Sequence, residues 1–471
     1  MSEPTKSTHD KAFQINLDKR FYGTFAEIGA GQEVARWFFQ VGGAAGTIAK
    51  SISAYDMKFS DAIYGAGERY VSEPRLMNMI DYEYDLLIER LSEKRGAENA
   101  FFAFANTVSA RNYLGTNECH GWLGIKFQVQ PQSDPNYVIA HVHMRDKENI
   151  LQQEALGIFG VNLTWAALYL HANPEDLIES LMDGLNMDRI EVDMVRFQGP
   201  LFSNVDNRLM ALQLVEKNLT NAALIGPDGS IQQPSDVFHK KSVLMERGSF
   251  RPVTHVNIDM MTGARKALIK NATAKDPDFD ESKIVEVMEI TMRNLLSTGV
   301  IDHKDFLARA DLITAMGKHV LISNYARFYR LSHFFWRYTK APIGIVLGVP
   351  NVEEILNEKY YHILEGGILE AFGRLFKNDL RLYIYPYKDP QLGEITTVHD
   401  LQPPEKLTLL FRYLTENDYI HPIEDYDENI MHIFSRNVLT KIRERDEEWE
   451  TMVPPEVAKI IKERWYFGYR P

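Results

Sequence analysis

The sequence predicts an α/β protein of mainly parallel sheet units, with a helical N-terminal segment and a charged helical C-terminal region. Three observations lead there. From His120 onward, short apolar runs alternate with helix-length runs at the spacing of strand–crossover–strand units. Between Phe21 and about Asn117 helical periodicity prevails; Ile80, Tyr84, Leu87 and Leu91 share one face with charges opposite. From about Pro403 the chain is helical in pattern and dense in charge.

The elements follow in order. Residues 1–20 read as a flexible tail and 21–117 as a mostly helical segment, with Phe101, Phe102 and Phe104 packing on its helices. An α/β domain is expected over 118–270. Its strands are Trp122–Val129, Tyr137–Met144, Ile190–Phe197 and Ala222–Ile225; its helices are Asp146–Leu156, Pro174–Leu185 capped by Asn173, and Asp206–Leu219. The polar, turn-rich stretch Asn271–Ser282 reads as a boundary. Beyond it, 283–471 is expected to form a second α/β and helical region. It would hold helices Lys283–Ser297, Asp302–Met316, Asn324–Tyr338 and Val352–Phe376, the last interrupted at Gly366-Gly367. Its strands would be His319–Ile322, Ile343–Leu347 and Leu380–Tyr385.

A length of 471 residues is enough for two or three domains, each with its own core. Lys and Arg number 52 against 65 Asp and Glu, a net charge of −13. That balance opposes a nucleic-acid footprint, which needs clustered positive charge, but leaves room for a small anion in a local basic pocket. The single cysteine, Cys119, excludes an intrachain disulfide and multi-cysteine metal sites, so a cytoplasmic setting is expected. Met1–Lys11 lacks the apolar stretch of a signal peptide. The run Gly157–Leu170 is broken by Asn162 and Thr164 and is too short to span a bilayer, so no membrane partner is expected.

The richest motif is Gly23–Thr47, where a short apolar run meets Gly29-Ala30-Gly31 and then a helical pattern through Val34, Ala35, Phe38 and Phe39. Glycines in a strand–loop–helix let backbone N–H groups approach a phosphate, so Gly29 and Gly31 are candidate ligand-binding residues. As a dinucleotide fingerprint the motif has Val34 in place of the third glycine. Glycines that allow tight helix packing are the other reading.

Gly23-Thr24-Phe25 and Gly31 also resemble the opening of nucleotidylyltransferases of the adenylyltransferase type, where G-T-F leads into H-x-G-H. Here the two histidine positions hold Gly29 and Gln32. Those histidines stabilise charge on the transferring phosphates in that family. Its second signature, I-S-S-T-x-x-R, has a loose echo in Ile322-Ser323-Asn324-Tyr325-Ala326-Arg327, whose arginine comes one residue early. Over nearly its full length the chain resembles a widespread bacterial family, through G-T-F-A-E-I-G-A-G-Q-E-V-A-R-W-F-F, E-R-G-S-F-R-P from Glu246 and L-E-G-G-I-L-E from Leu364. Members of that family often carry the automatic name nicotinate-nucleotide adenylyltransferase, and the resemblance implies no mechanism.

Further candidates come from placement. Ser323 and Asn324 follow a strand and precede a helix, with Arg327 on its first turn; they suit either an anion or a helix cap. Asp206 and Arg208 hold the equivalent place after Ile190–Phe197. Arg247 and Arg251 flank the densest basic cluster, fit for bidentate anion recognition or for pairing with the surplus carboxylates. His141 and His143, two apart on a strand, share a face and are candidate metal ligands. No nucleophile, general base or cofactor can be assigned. The function expected is binding of a nucleotide or other phosphorylated small molecule, by an enzyme of unassigned reaction or a sensor. The alternative is a non-catalytic scaffold, self-assembling or docking a partner through Phe328, Phe334, Phe335, Trp336 and Trp465–Tyr469.

Overall fold

The computed structural model describes residues 6–471 and divides into two compact units, Met1–Ala223 and Leu224–Pro471. The division falls between Ala223 and Leu224 rather than at 271–282, because 271–275 finish a long helix and the strands on both sides of it belong to one sheet.

The first unit has helices α1 (Thr8–Leu17), α2 (Glu33–Val41), α3 (Met57–Tyr64), α4 (Glu73–Arg95), α5 (Asn149–Tyr169), α6 (Pro174–Ser180) and α7 (Asn207–Glu216). Its strands are β1 (Phe21–Ile28), β2 (Ile48–Ile52), β3 (Ala100–Ser109), β4 (His120–Phe127), β5 (Asn136–Met144) and β6 (Ile190–Gln198), in the order β2-β1-β3-β4-β5-β6. Only β2, β1 and β3 are parallel; β3 through β6 form an antiparallel meander. The parallel reading of 118–225 is corrected here: a short connection joins β4 to β5, and although α5 and α6 lie between β5 and β6, these two strands also pair antiparallel. Segment 21–117 likewise carries three strands, and Phe101, Phe102 and Phe104 lie on one of them.

Alternation along the strands builds two apolar faces. Leu123, Ile125, Phe127, Val138, Ala140 and Val142 point into a core with Phe159 and Leu163 of α5, while Phe101 and Ala103 meet Tyr84 and Leu87 of α4. Of the expected tail, residues 1–5 lie outside the described residues, and Thr8–Leu17 form α1. Ser7 caps α1, Ala12 and Ile15 are fully buried, and Lys11 Nζ reaches Asn162 Oδ1 at 2.9 Å and Asp183 at 2.6 Å.

The second unit begins within β7 (Ala222–Ile225) and continues with β8 (Ile231–Gln232), β9 (Ser242–Arg247), β10 (Ile284–Thr291), β11 (His319–Ser323), β12 (Ile343–Gly348), β13 (Leu380–Tyr385), β14 (Tyr387–Lys388), β15 (Ile395–Thr396) and β16 (Ile420–Pro422). Its helices are α8 (Pro234–Phe238), α9 (His255–Lys275), α10 (Met292–Leu295), α11 (His303–Ala315), α12 (Phe328–Tyr338), α13 (Val349–Ile355), α14 (Gly367–Leu375), α15 (Thr408–Glu416), α16 (Ser435–Glu444) and α17 (Pro455–Arg464). The main sheet runs β16-β13-β12-β9-β10-β11-β7-β8, and the six strands from β16 to β11 are all parallel. The expected helix 283–297 is β10, because I-V-E-V-M-E-I-T is a β-branched alternating run whose apolar residues are buried on both faces. Among the described residues no helix is long and apolar enough to cross a membrane.

Candidate functional site

The parallel sheet reverses its winding at one place. From β9 the chain steps outward through β10 and β11, then returns to lay β12, β13 and β16 on the other side of β9. Loops leaving the carboxyl ends of β9 and β12 therefore diverge, and such a switch point opens a crevice. A cavity of about 420 Å³ lies at these strand ends. It is lined by Arg247 and Gly248 after β9, Thr291–Asn294 after β10, and Ser323–Phe328 after β11. Asn351, Glu354 and Ile355 of α13 close it with Tyr360 and Tyr361.

The floor is an ion pair. Glu289, fully buried on β10, is the register neighbour of Arg247 on β9. Arg247 Nε donates to Glu289 Oε2 at 2.7 Å and Nη2 to Oε1 at 3.0 Å; Nη2 also donates to the Tyr325 carbonyl at 2.9 Å. Ser323 donates its hydroxyl proton to the same carboxylate. The Arg247 guanidinium lies 4.3 Å from the Phe328 ring centroid. Arg247 is thus neutralised and holds the β9, β10 and β11 ends together.

Charge available to a ligand comes from higher in the crevice. Arg327 stacks on Tyr360 at 3.9 Å, and Arg293 is exposed on α10. Among the described residues neither has a carboxylate within ion-pair distance. Ser323 and Asn324 do not cap a helix: α12 starts at Phe328 with Arg327 at its N-cap position and no side-chain cap. The β11–α12 loop is left free to line the cavity.

Of the residues singled out from sequence, Ser323, Asn324, Arg327 and Arg247 converge here. The others do not. Arg251 Nε lies 2.5 Å from Asp305 on α11, which also pairs with Arg309, so it fastens the β9–α9 loop instead. In the first unit, Asp206 accepts from Arg208 N at 2.9 Å and holds the Arg208 guanidinium at 2.7 Å, a helix cap with its own counter-charge.

Gly29 and Gly31 do form a strand–loop–helix, but its anion position is already filled. Glu27 of β1 accepts from Val34 N at 3.1 Å, Ala35 N at 2.9 Å and Asn106 Nδ2 at 3.0 Å. The carboxylate serves the N-terminus of α2, which has no other side-chain cap. Burial pushes its pKa up to about 7 against those hydrogen bonds. Gly29 is required for a different reason: φ is +100°, and a Cβ there would stand 1.9 Å from the Val108 carbonyl oxygen.

His141 and His143 occupy one face of β5, and the structure adds two residues that sequence reasoning missed. Asp193 of β6 faces both rings, with His141 Nδ1 at 2.6 Å from Oδ1 and His143 Nε2 at 2.9 Å from Oδ2. His120 Nδ1 of β4 is 3.0 Å from His141 Nε2. Burial, which opposes its charge, and the two imidazoles, which outweigh it, leave Asp193 well below the usual carboxylate range. Burial and the same rings press His120 down to about 3. The signal in the sequence was I-E-V-D-M-V, with carboxylates at alternate positions of a strand whose neighbours are apolar. Glu289 carries the same signal in I-V-E-V-M-E-I-T.

The aromatic residues assigned to an interface lie mostly inside. Phe334, Phe335 and Trp336 are buried on α12, Phe335 against Phe238 at 5.4 Å, and Phe467 is buried near the chain end; Trp465 is exposed.

No family model matches the chain, and neither does any curated protein. Among solved structures it is similar to the competence/damage inducible protein CihA of Agrobacterium tumefaciens, at 16% identity over 35% of this chain and 98% of that one, with a TM-score of 0.26. A CinA superfamily protein of Klebsiella pneumoniae gives the same four values. One of Escherichia coli gives 16% identity over 33% and 84%, with a TM-score of 0.24. Likeness of this extent assigns no activity.

Proposed function

We propose that the second unit binds a phosphorylated small molecule, a nucleotide foremost, in the crevice at the carboxyl ends of β9, β10 and β11. One observation carries this reading: Arg293 and Arg327, without carboxylate partners among the described residues, share a cavity of about 420 Å³ with Tyr360 and Tyr361. Guanidinium groups take phosphate oxygens in bidentate fashion, and aromatic faces take a planar base. The switch-point topology supports the same place for a ligand. The resemblance to a family bearing a nucleotide-transfer name agrees in ligand class. We place the nucleotide here, and not at Gly29-Ala30-Gly31, because Glu27 stands where its phosphate would go. Binding is what the geometry supports. Ser323 is fully buried and turned to a carboxylate that Arg247 already holds, so it is a positioning group rather than a nucleophile.

Thermal-shift screening of the full chain against nucleotides and sugar phosphates tests the reading. A ligand at a hundred times its Kd should stabilise the second unit by about 2.7 kcal/mol. Arg327→Ala should cut the shift at the same ligand concentration by about half or more, and a flat response across the panel would overturn the reading.

A further inference from the structure

We propose that the first unit binds a divalent first-row transition-metal ion between His141 Nδ1, His143 Nε2 and the Asp193 carboxylate, with His120 and Glu118 as outer partners. The site is independent of the crevice and of any ligand there.

Four features converge on it. The first is enclosure: the side chains of His141, His143 and Asp193 are 1%, 3% and 3% exposed. They stand on the paired strands β5 and β6, where the register shifts between His141 and Val142 and leaves Asp193 as the extra residue of β6 opposite the two histidines. The second is convergence. One donor atom from each residue lies within 4.8 Å of the others, and the two hydrogen-bonded contacts are 2.6 and 2.9 Å. Donors on a tetrahedral ion at the usual bond lengths stand about 3.3 Å apart, so side-chain shifts of under about 1 Å would admit one.

The third feature is what lies behind each ring. His141 Nε2 faces His120 Nδ1 at 3.0 Å, and His143 Nδ1 faces Glu118 Oε1 at 3.5 Å. With the metal on the inner nitrogens, each ring proton moves to the outer one. His141 Nε2–H then donates to His120, and His143 Nδ1–H points at a carboxylate. Outer partners of this kind orient ligating imidazoles in metal sites generally. The fourth is donor type. Two imidazoles and one carboxylate suit zinc, iron(II) or manganese better than magnesium or calcium, which prefer all-oxygen sites.

Full-length protein stripped with chelator and titrated with Co²⁺ tests this. The expected result is about one ion bound per chain, with visible d–d bands that Zn²⁺ displaces. Asp193→Asn and His143→Gln should each weaken Co²⁺ binding by at least roughly 100-fold, with folding followed by circular dichroism. Should both variants fail to fold, Glu118→Gln decides. Glu118 is 44% exposed, and its loss should weaken binding by roughly 10-fold without unfolding the chain. Folded wild-type protein that takes up no Co²⁺ or Zn²⁺ overturns the proposal. So does undiminished binding by folded Asp193→Asn, or by Glu118→Gln where it is the deciding variant.

Discussion

The loop after β1 and the loop after β11 start from similar material and end in opposite states. Both leave the carboxyl end of a parallel strand and enter a helix without a side-chain N-cap of its own. The first has the glycines that a phosphate loop needs, and the second has none. Yet at the first the helix N-terminus is served by Glu27 from its own strand, so the backbone donors are spent inside the unit. At the second, the buried carboxylate of Glu289 is turned to Arg247 and Ser323, and the rest of the loop opens on a cavity. Loop composition is therefore a poor guide to anion binding. What decides is whether the fold has already supplied the anion.

That contrast can be broken most forcefully at Arg247. Arg247→Ala strands a fully buried carboxylate and should cost the second unit about 3–5 kcal/mol in chemical denaturation; a loss under about 1 kcal/mol would mean that Glu289 is not held by this pair. Next comes its counterpart. Glu27→Ala orphans the Val34, Ala35 and Asn106 donors and should cost the first unit about 2–4 kcal/mol, while nucleotide binding by the crevice stays as in wild type. Loss of binding in that variant would place the ligand at the glycine loop after all.

Acidity sharpens the comparison within the second unit. Glu246, one residue before Arg247 and on the opposite face of β9, is buried with Asn257 as its hydrogen-bond donor, and burial raises its pKa from 4.5 to about 8. Between those values the unfolded chain binds fewer protons than the native one, so stability falls as pH rises from 4.5 and levels off above about 8. The slope from this group is at most about 1.4 kcal/mol per pH unit. Glu27 adds to it in the same direction up to about pH 7. Denaturation midpoints measured from pH 5 to 9 should show the fall, and Glu246→Gln should flatten the second unit's share. The smallest effect on stability is expected at Arg327, half-exposed on Tyr360. Arg327→Ala should move stability by under about 0.5 kcal/mol while weakening nucleotide binding roughly 10- to 100-fold by calorimetry.

Much of the second unit was legible. Apolar runs at His319–Ile322, Ile343–Leu347 and Leu380–Tyr385 became β11, β12 and β13, and Ser323, Asn324 and Arg327 line the cavity, although from a loop and not from the start of a helix. β10 was not, because its two glutamates break an apolar run with charges whose partners lie on other strands or helices. The antiparallel course of β4–β6 escaped for a similar reason: strand direction depends on pairing, which local periodicity does not carry. Ordering of α1 rests on contacts 151 and 172 residues away, from Lys11 to Asn162 and Asp183.

By itself the sequence determined the α/β class, the positions of β4 to β7 and β11 to β13, and the residue types available for an anion or a metal, since these follow from periodicity and side-chain chemistry near each position. Tertiary structure alone decided which charges are spent. Glu27, Glu289 and Asp193 acquire their roles only when strands far apart in the chain lie side by side, because a buried carboxylate must find its donors or counter-charge wherever the fold brings them.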